Sequence, residues 1–260
     1  GSDAGSLRTS ARRDGDEFVI SGTKRYITNA PEAGLFTVFA RTDPETKDAR
    51  GVSAILVEAD RAGVSLGPLD RKMGQRGAHS CDVMFDDVRV PVTNIIGGEA
   101  NLNRGFKTAM KVLDRGRLHI SAVCVGVAER LIADALEFAT GRQQFGKPIA
   151  QHQLVQAMLA DSRTEAYAAR SMVLDAARRR DAGENVSMEA SCAKLYASEM
   201  VGRVADRAVQ IHGGAGYIAD YPVERFYRDV RLFRLYEGTS EIQRLIIARH
   251  MTRSAAAERT

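Results

Sequence analysis

Two regimes of hydrophobic patterning divide the chain. From about residue 17 to 91 the pattern is that of β-strands. "EFVISGTKRYITN" (17–29) alternates around a Ser-Gly pair that predicts a turn, and "LFTVFART" (35–42), "VSAILVEA" (52–59) and "CDVMFDDVRV" (81–90) follow, separated by Gly, Pro and Asp. Past "NIIGGEANLN" (94–103) the period changes to three or four. It predicts helices over 104–140, 149–182, 187–211, 222–233 and 240–252, with breaks at Gly141, Gly146 and Pro148, at Gly183, and at Gly213 to Gly216. The expected fold class is α+β and multidomain: a barrel-like antiparallel β domain over 1–100, then a four-helix-bundle domain over 101–260. Helices longer than 30 residues predict an antiparallel bundle or packing against other subunits.

Composition changes this picture little. The 260 residues are 44% hydrophobic, ordinary for a globular chain, and the net charge of +4 is the balance of 37 basic and 33 acidic residues that interleave. No basic stripe for nucleic acid follows. The densest basic run, Arg178 to Arg180, is predicted to close a helix, where cations suit the dipole. The longest apolar run, "ISAVCVGVA" from Ile120, is nine residues against the roughly 20 that span a bilayer, and the start shows no signal-peptide pattern. Three scattered cysteines, Cys81, Cys124 and Cys192, predict reduced thiols in a cytosol-like compartment.

Several chemistries find no support. His79, His119, His152, His212 and His250 have no metal-type spacing, so no metal site is expected. There is no GxxxxGK[ST], and no GxSxG elbow for acyl transfer. "HGGAGY" does not lead from a strand into a helix as a dinucleotide fingerprint must. One oddity stands in "YEGTSEIQ" (236–243). Ser240 with Gln243 reads as a capping box, so a helix starts at about Glu241 and strands Glu237 outside it, beside the permissive Gly238. Taken alone, a solvated loop glutamate is the common case.

Six pieces in order change that reading: "GSDAGSLRT" (1–9), "YITNA" (26–30), "MGQRG" (73–77), "GRQQFGKPIAQHQ" (141–153), "VQIHGGAGY" (209–217) and "YEGTSEIQRLIIAR" (236–249). Together they resemble the acyl-CoA dehydrogenase family of flavoproteins over essentially the whole chain. The resemblance implies FAD as cofactor, a middle β domain and a C-terminal four-helix bundle. It also implies an N-terminal helical domain of roughly 120 residues upstream of this stretch. The implied partners are an acyl-CoA substrate, an electron-transfer flavoprotein as electron acceptor and further copies of the chain, as a dimer of dimers. The implied location is the bacterial cytoplasm or, in a eukaryote, the mitochondrial matrix. An acyl-CoA oxidase and a non-catalytic FAD-binding subunit are the alternatives.

Site roles follow by matching position. Glu237 becomes the base that takes the α-proton of the thioester while the β-hydrogen leaves as hydride to the flavin, and Gly238 lets the chain approach the thioester. Thr239, Ser240 and Glu241 match a segment against the flavin, with helix capping as the other reading. Tyr26, Ile27 and Thr28 match a strand along its ring system; many relatives carry Trp at the first. Arg142 matches an arginine that crosses a dimer interface to the FAD pyrophosphate. Gln153 matches a further cofactor contact, and Gln210, Ile211, His212, Gly213 and Gly214 match a loop whose backbone approaches FAD, a helix C-cap being the plainer account of the glycines. Asp114 and Arg117 match positions near CoA and the acyl chain, against a solvated i,i+3 ion pair; Ser2 matches a contact to the thioester end of CoA.

Overall fold

A computed structural model describes residues 1–257, and the chain divides into two compact units, Gly1–Val112 and Leu113–Thr260.

The first unit is one sheet of strands β1 (Ser10–Asp14), β2 (Glu17–Thr28), β3 (Leu35–Arg41), β4 (Val52–Glu58), β5 (Val64–Leu66) and β6 (Ser80–Pro91), in the order β4-β3-β1-β2-β6-β5. The expected barrel is corrected to an open sheet: β4 and β5 end the order rather than pairing with each other. The expected antiparallel pattern holds except for a parallel bridge from Ser10 of β1 to Arg41 of β3. The outer edge of β4 is met by bridges from Ile95 and Arg104, which satisfies backbone groups that an edge strand would otherwise leave bare. Inward residues at period two, such as Phe18, Ile20, Phe36, Val38, Ile55, Val57, Val83, Phe85, Val88 and Val90, form the core. Each such side chain contributes about 1.5–3 kcal/mol on burial.

The Ser21-Gly22 turn is also corrected. β2 runs through it as a single strand against β6, with register shifts at Ile20/Gly22 and Lys24/Ile27. Gly22 stands at φ 137°, and a Cβ there would lie 2.9 Å from Thr9 Cα, so the glycine marks a bulge and a close backbone approach.

Helix α1 (Gly105–Gly141) begins against β4. A Cβ on the buried Gly105 would overlap the backbone nitrogen of Ala54, which cannot move without breaking the strand. Gly105→Ala is therefore expected to destabilise the protein by about 1–3 kcal/mol in urea unfolding, the cost of overpacking.

The second unit is helical. After α1 come a small hairpin of β7 (Gln143–Gln144) and β8 (Lys147–Pro148), then α2 (Gln153–Asp181), α3 (Ser187–His212), α4 (Val223–Val230) and α5 (Ser240–Ala257). Among the described residues there are thus five α-helices; α4 is a short addition to a bundle of four long ones. Helix α2 starts later than predicted because Pro148 and a 3-10 turn at Ile149–Gln151 precede it, and it ends as predicted on Arg178, Arg179 and Arg180. The predicted helix over 222–233 tightens after Val230 into a 3-10 turn, Arg231–Arg234. The core is built from Ile120, Cys124, Ala128, Leu131 and Ala135 of α1 at spacings of three and four, with Ala197, Met200, Val204 and Ala208 of α3. Helix α3 is central, packing on α2, α4 and α5. Its many alanines permit close helix approach. No helix among the described residues is long and apolar enough to cross a membrane.

Candidate active site

Glu237 lies in the short connection between the 3-10 turn Arg231–Arg234 and α5. The turn at Arg231–Arg234 closes with the N–H groups of Leu235 and Tyr236 both donating to the Leu232 carbonyl, and the Tyr236 ring stacks on buried Phe233 at 5.9 Å. The next residue, Glu237, has φ 55°, and Gly238 follows at φ 85°. A non-glycine residue in the left-handed region costs about 1–3 kcal/mol and persists only where its surroundings impose it. Here two buried side chains do so. Gln243 Nε2 donates to the carbonyls of Glu237 (2.9 Å) and Gly238 (3.1 Å), and Lys194 Nζ donates to the Gly238 carbonyl at 2.6 Å. Gln243 and Lys194 are each 0% exposed. Gly238 is required twice over, by its φ and because a Cβ would stand 2.6 Å from Gln243 Nε2.

The carboxylate of Glu237 rests against α1. A Cβ on Gly116 would overlap Glu237 Oε2, so the glycine provides the space that oxygen occupies. That oxygen is buried and has no hydrogen-bond partner among the described residues. A buried acceptor left unpaired is costly in a purely structural role, and such groups cluster where a ligand completes them.

The predicted capping box is corrected. The Ile242 N–H donates to Thr239 Oγ1 (3.3 Å) and the Gln243 N–H to the Thr239 carbonyl (2.9 Å), so Thr239 caps α5 and the helix begins at Ser240. The Ser240 hydroxyl instead donates to Glu199 Oε1 at 2.6 Å, and Gln243 reaches back past the cap to the Glu237 turn. Exposed Glu241 is held below the usual carboxylate range by its own backbone N–H and then by the Thr239 hydroxyl.

On the same unit Asp114 and Arg117 form an ion pair at 2.6 Å, but not a solvated one. Arg117 is 6% exposed, its Nε is buried without a partner among the described residues, and Asp114 also accepts from the Ser187 hydroxyl at 3.2 Å. Arg142 lies exposed just past α1, with its backbone bonded to Phe138 and Ile149. Gln153 is exposed at the start of α2. The expected loop at Gln210 to Gly214 is corrected in part: Gln210, Ile211 and His212 form the last turn of α3. Ile211 is core, and His212 stacks on Phe138 at 4.3 Å, its Nδ1 2.8 Å from the Ala208 carbonyl. Gly213, at φ 57°, is the C-cap, and Gly214 continues into a 3-10 turn.

In the sheet unit Tyr26 is left-handed at φ 59°, falls at the second bulge of β2 and is 69% exposed, with the Arg25 guanidinium 4.2 Å from its ring centre. Ile27 and Thr28 pair with Cys81 and Ser80; Ile27 packs on the core and Thr28 is exposed. Ser2 is exposed before the first 3-10 turn.

Four residues of the Glu237 site escaped sequence reasoning: Gly116, Lys194, Glu199 and the buried role of Gln243. One signal for Lys194 was available. It lies beside the buried stripe Ala190, Ala193, Ala197, Val201, with only the small Ser191 and Ser198 as buried polar neighbours along the helix, and among the described residues it is the one charged side chain on that face.

Comparison with known proteins shows which family the chain resembles along its length. Residues 1–88 match the profile of the acyl-CoA dehydrogenase middle domain, and residues 103–252 that of the acyl-CoA dehydrogenase C-terminal domain. The chain is 43% identical over 256 residues to cyclohexane-1-carbonyl-CoA dehydrogenase of Geobacter metallireducens, covering 98% of this chain and 66% of that protein. It is 44% identical over 248 residues to the caffeyl-CoA reductase-Etf complex subunit CarC of Acetobacterium woodii, covering 95% and 64%. The solved structure of butyryl-CoA dehydrogenase from Megasphaera elsdenii superposes with a TM-score of 0.91 at 36% identity, over 96% of this chain and 66% of that one. This chain thus spans about two-thirds of the length of these relatives, and it belongs to the acyl-CoA dehydrogenase family.

Proposed function

We propose that this protein interconverts an acyl-CoA and its α,β-unsaturated counterpart with FAD as cofactor, and that Glu237 is the base. The observation that carries this is the buried, unpartnered Oε2 on a left-handed turn braced by buried side chains. FAD, when bound, supplies the hydride acceptor. The residues present suit such a group: Tyr26 offers an exposed aromatic face, Thr28 a hydroxyl and Arg142 an exposed, permanently charged guanidinium for phosphate.

The work of this chain's own atoms is proton transfer. Glu237 is held by its backbone, so its carboxylate is free to meet a carbon acid and needs no rearrangement to do so. An α-proton beside a thioester is weakly acidic, so the base that takes it must be held close to the α-carbon. In the unsaturation direction Glu237 takes that proton; in the saturation direction it returns it to the same carbon. Both directions occur among the relatives, one named a dehydrogenase and one a reductase in a complex with Etf. An electron-transfer flavoprotein is accordingly the proposed redox partner, further copies of this chain the proposed assembly, and Asp114, Arg117 and Ser2 the proposed CoA-side contacts.

The experiment is anaerobic flavin bleaching of the FAD-loaded protein across a panel of straight, branched, cyclic and aryl acyl-CoAs. At least one is expected to bleach the flavin within seconds; no bleaching by any, together with no reoxidation of the reduced protein by the matching enoyl-CoAs, would sink the reading. Stoichiometric peroxide on readmitting oxygen would favour the oxidase instead.

A further inference from the structure

Lys194 is a fully buried lysine that the proton transfer itself does not use. It lies in the N-terminal third of α3, flanked by buried Ala190, Ser191, Ala193, Ala197 and Ser198, and burial lowers its pKa to about 8. An ammonium removed from water is expensive and rarely kept without a partner of consequence. Its hydrogen-bond partner is the Gly238 carbonyl, the residue after the proposed base, at 2.6 Å. The charged and titratable groups bearing on it are Cys124 and Arg117 of α1, Glu199 one turn along α3, and Glu237 itself.

We propose that Lys194 is the positioning residue of this site: its buried ammonium, bonded to the Gly238 carbonyl, holds the left-handed Glu237–Gly238 turn in the geometry from which Glu237 exchanges its proton. This rests on Glu237 being the base. A bond from an ionised donor is roughly twice as strong as one from a neutral donor, so the clamp weakens when Lys194 loses its proton. Gln243 supplies the second brace, but as a neutral amide it is insensitive to pH.

The signature follows from the sign of the two titrations. A carboxylate base alone gives a rate that rises with pH and then levels off. A positioning ammonium adds a fall on the alkaline side, beginning at about pH 8. Cys124 cannot produce that limb, because burial pushes its thiol up to about 12.

The test measures the flavin-reduction rate constant and acyl-CoA affinity of the FAD-loaded protein from about pH 6 to about pH 10. The unaltered protein should show the alkaline fall. Lys194→Met should bind FAD and substrate within about threefold of it yet reduce flavin ~10- to 100-fold more slowly, the scale of a misplaced catalytic group. Lys194→Gln, which keeps a neutral donor, should be intermediate and lack the limb. Should the methionine variant fail to fold, the glutamine variant and the profile of the unaltered protein still decide. Absence of the alkaline fall in the unaltered protein, its persistence in Lys194→Gln, or unaltered rates in either variant would overturn the proposal. An inactive Glu237→Gln beside a Lys194→Gln indistinguishable from the unaltered protein removes the role of Lys194 alone, whereas an active Glu237→Gln removes the base.

Discussion

Glu237→Gln should retain FAD and acyl-CoA binding while slowing flavin reduction by ~10²–10⁴-fold, the range typical for loss of a general base. The substitution is nearly isosteric, and no hydrogen bond that holds the turn is made by the carboxylate. The braces from Gln243 and Lys194 go to backbone carbonyls of Glu237 and Gly238, and Thr239 caps α5 independently. Because Oε2 has no partner among the described residues, no hydrogen bond to it is lost. What the amide lacks is the capacity to accept a proton. Rapid mixing with substrate in the visible flavin band gives the rate constant, and the dependence on acyl-CoA concentration gives the affinity. A loss in the first with the second unchanged identifies an interaction made only in the transition state.

Gly116→Ala should separate activity from stability. The atom its new methyl would meet is Glu237 Oε2, the far end of a flexible side chain rather than backbone. The carboxylate can swing aside, so the unfolding free energy should change by less than about 1 kcal/mol, helped by the better helix propensity of alanine. The displacement nevertheless moves the basic oxygen by on the order of 1 Å, and a shift of that size in a reacting group costs roughly 10²-fold in rate. Thermal unfolding and flavin-reduction kinetics on the same preparation check both halves. The contrast is with Gly105→Ala, where the obstacle is the Ala54 backbone and stability falls instead.

Much of the fold was legible because each regime of patterning corresponds to one way of burying a face. The three and four spacing of Ile120, Cys124, Ala128, Leu131 and Ala135 is the core stripe of α1, and the alternation of Phe36 and Val38 is the inner face of β3. What the sequence hid was long-range. A Ser-Gly pair reads the same as a turn or a bulge, and only the approach of Thr9 to Gly22 decides for the bulge. β1 and β5, five and three residues long, carry too few periods to register. Closure into a barrel depends on the pairing of end strands, which no local pattern encodes.

The candidate site divides in the same way. Glu237 was found because a contiguous motif surrounds it, whereas Lys194 and Gly116 reach it from 43 and 121 positions away in sequence. The Ser240–Gln243 spacing satisfied a local capping rule, yet both side chains were taken up by tertiary partners, Glu199 and the Glu237 carbonyl, and Thr239 capped the helix. Local chemistry proposes a partner, and the partner of greater burial is the one adopted.

The central claim is that Glu237 exchanges a proton with the α-carbon of the substrate. It is tested most directly by incubating the FAD-loaded protein with a bleaching acyl-CoA in D₂O without an electron acceptor and following deuterium at the α-carbon by NMR. The unaltered protein should wash deuterium into that position, and Glu237→Gln should not, although both bind the ester. Exchange in Glu237→Gln at the rate of the unaltered protein would contradict the account and place the base elsewhere.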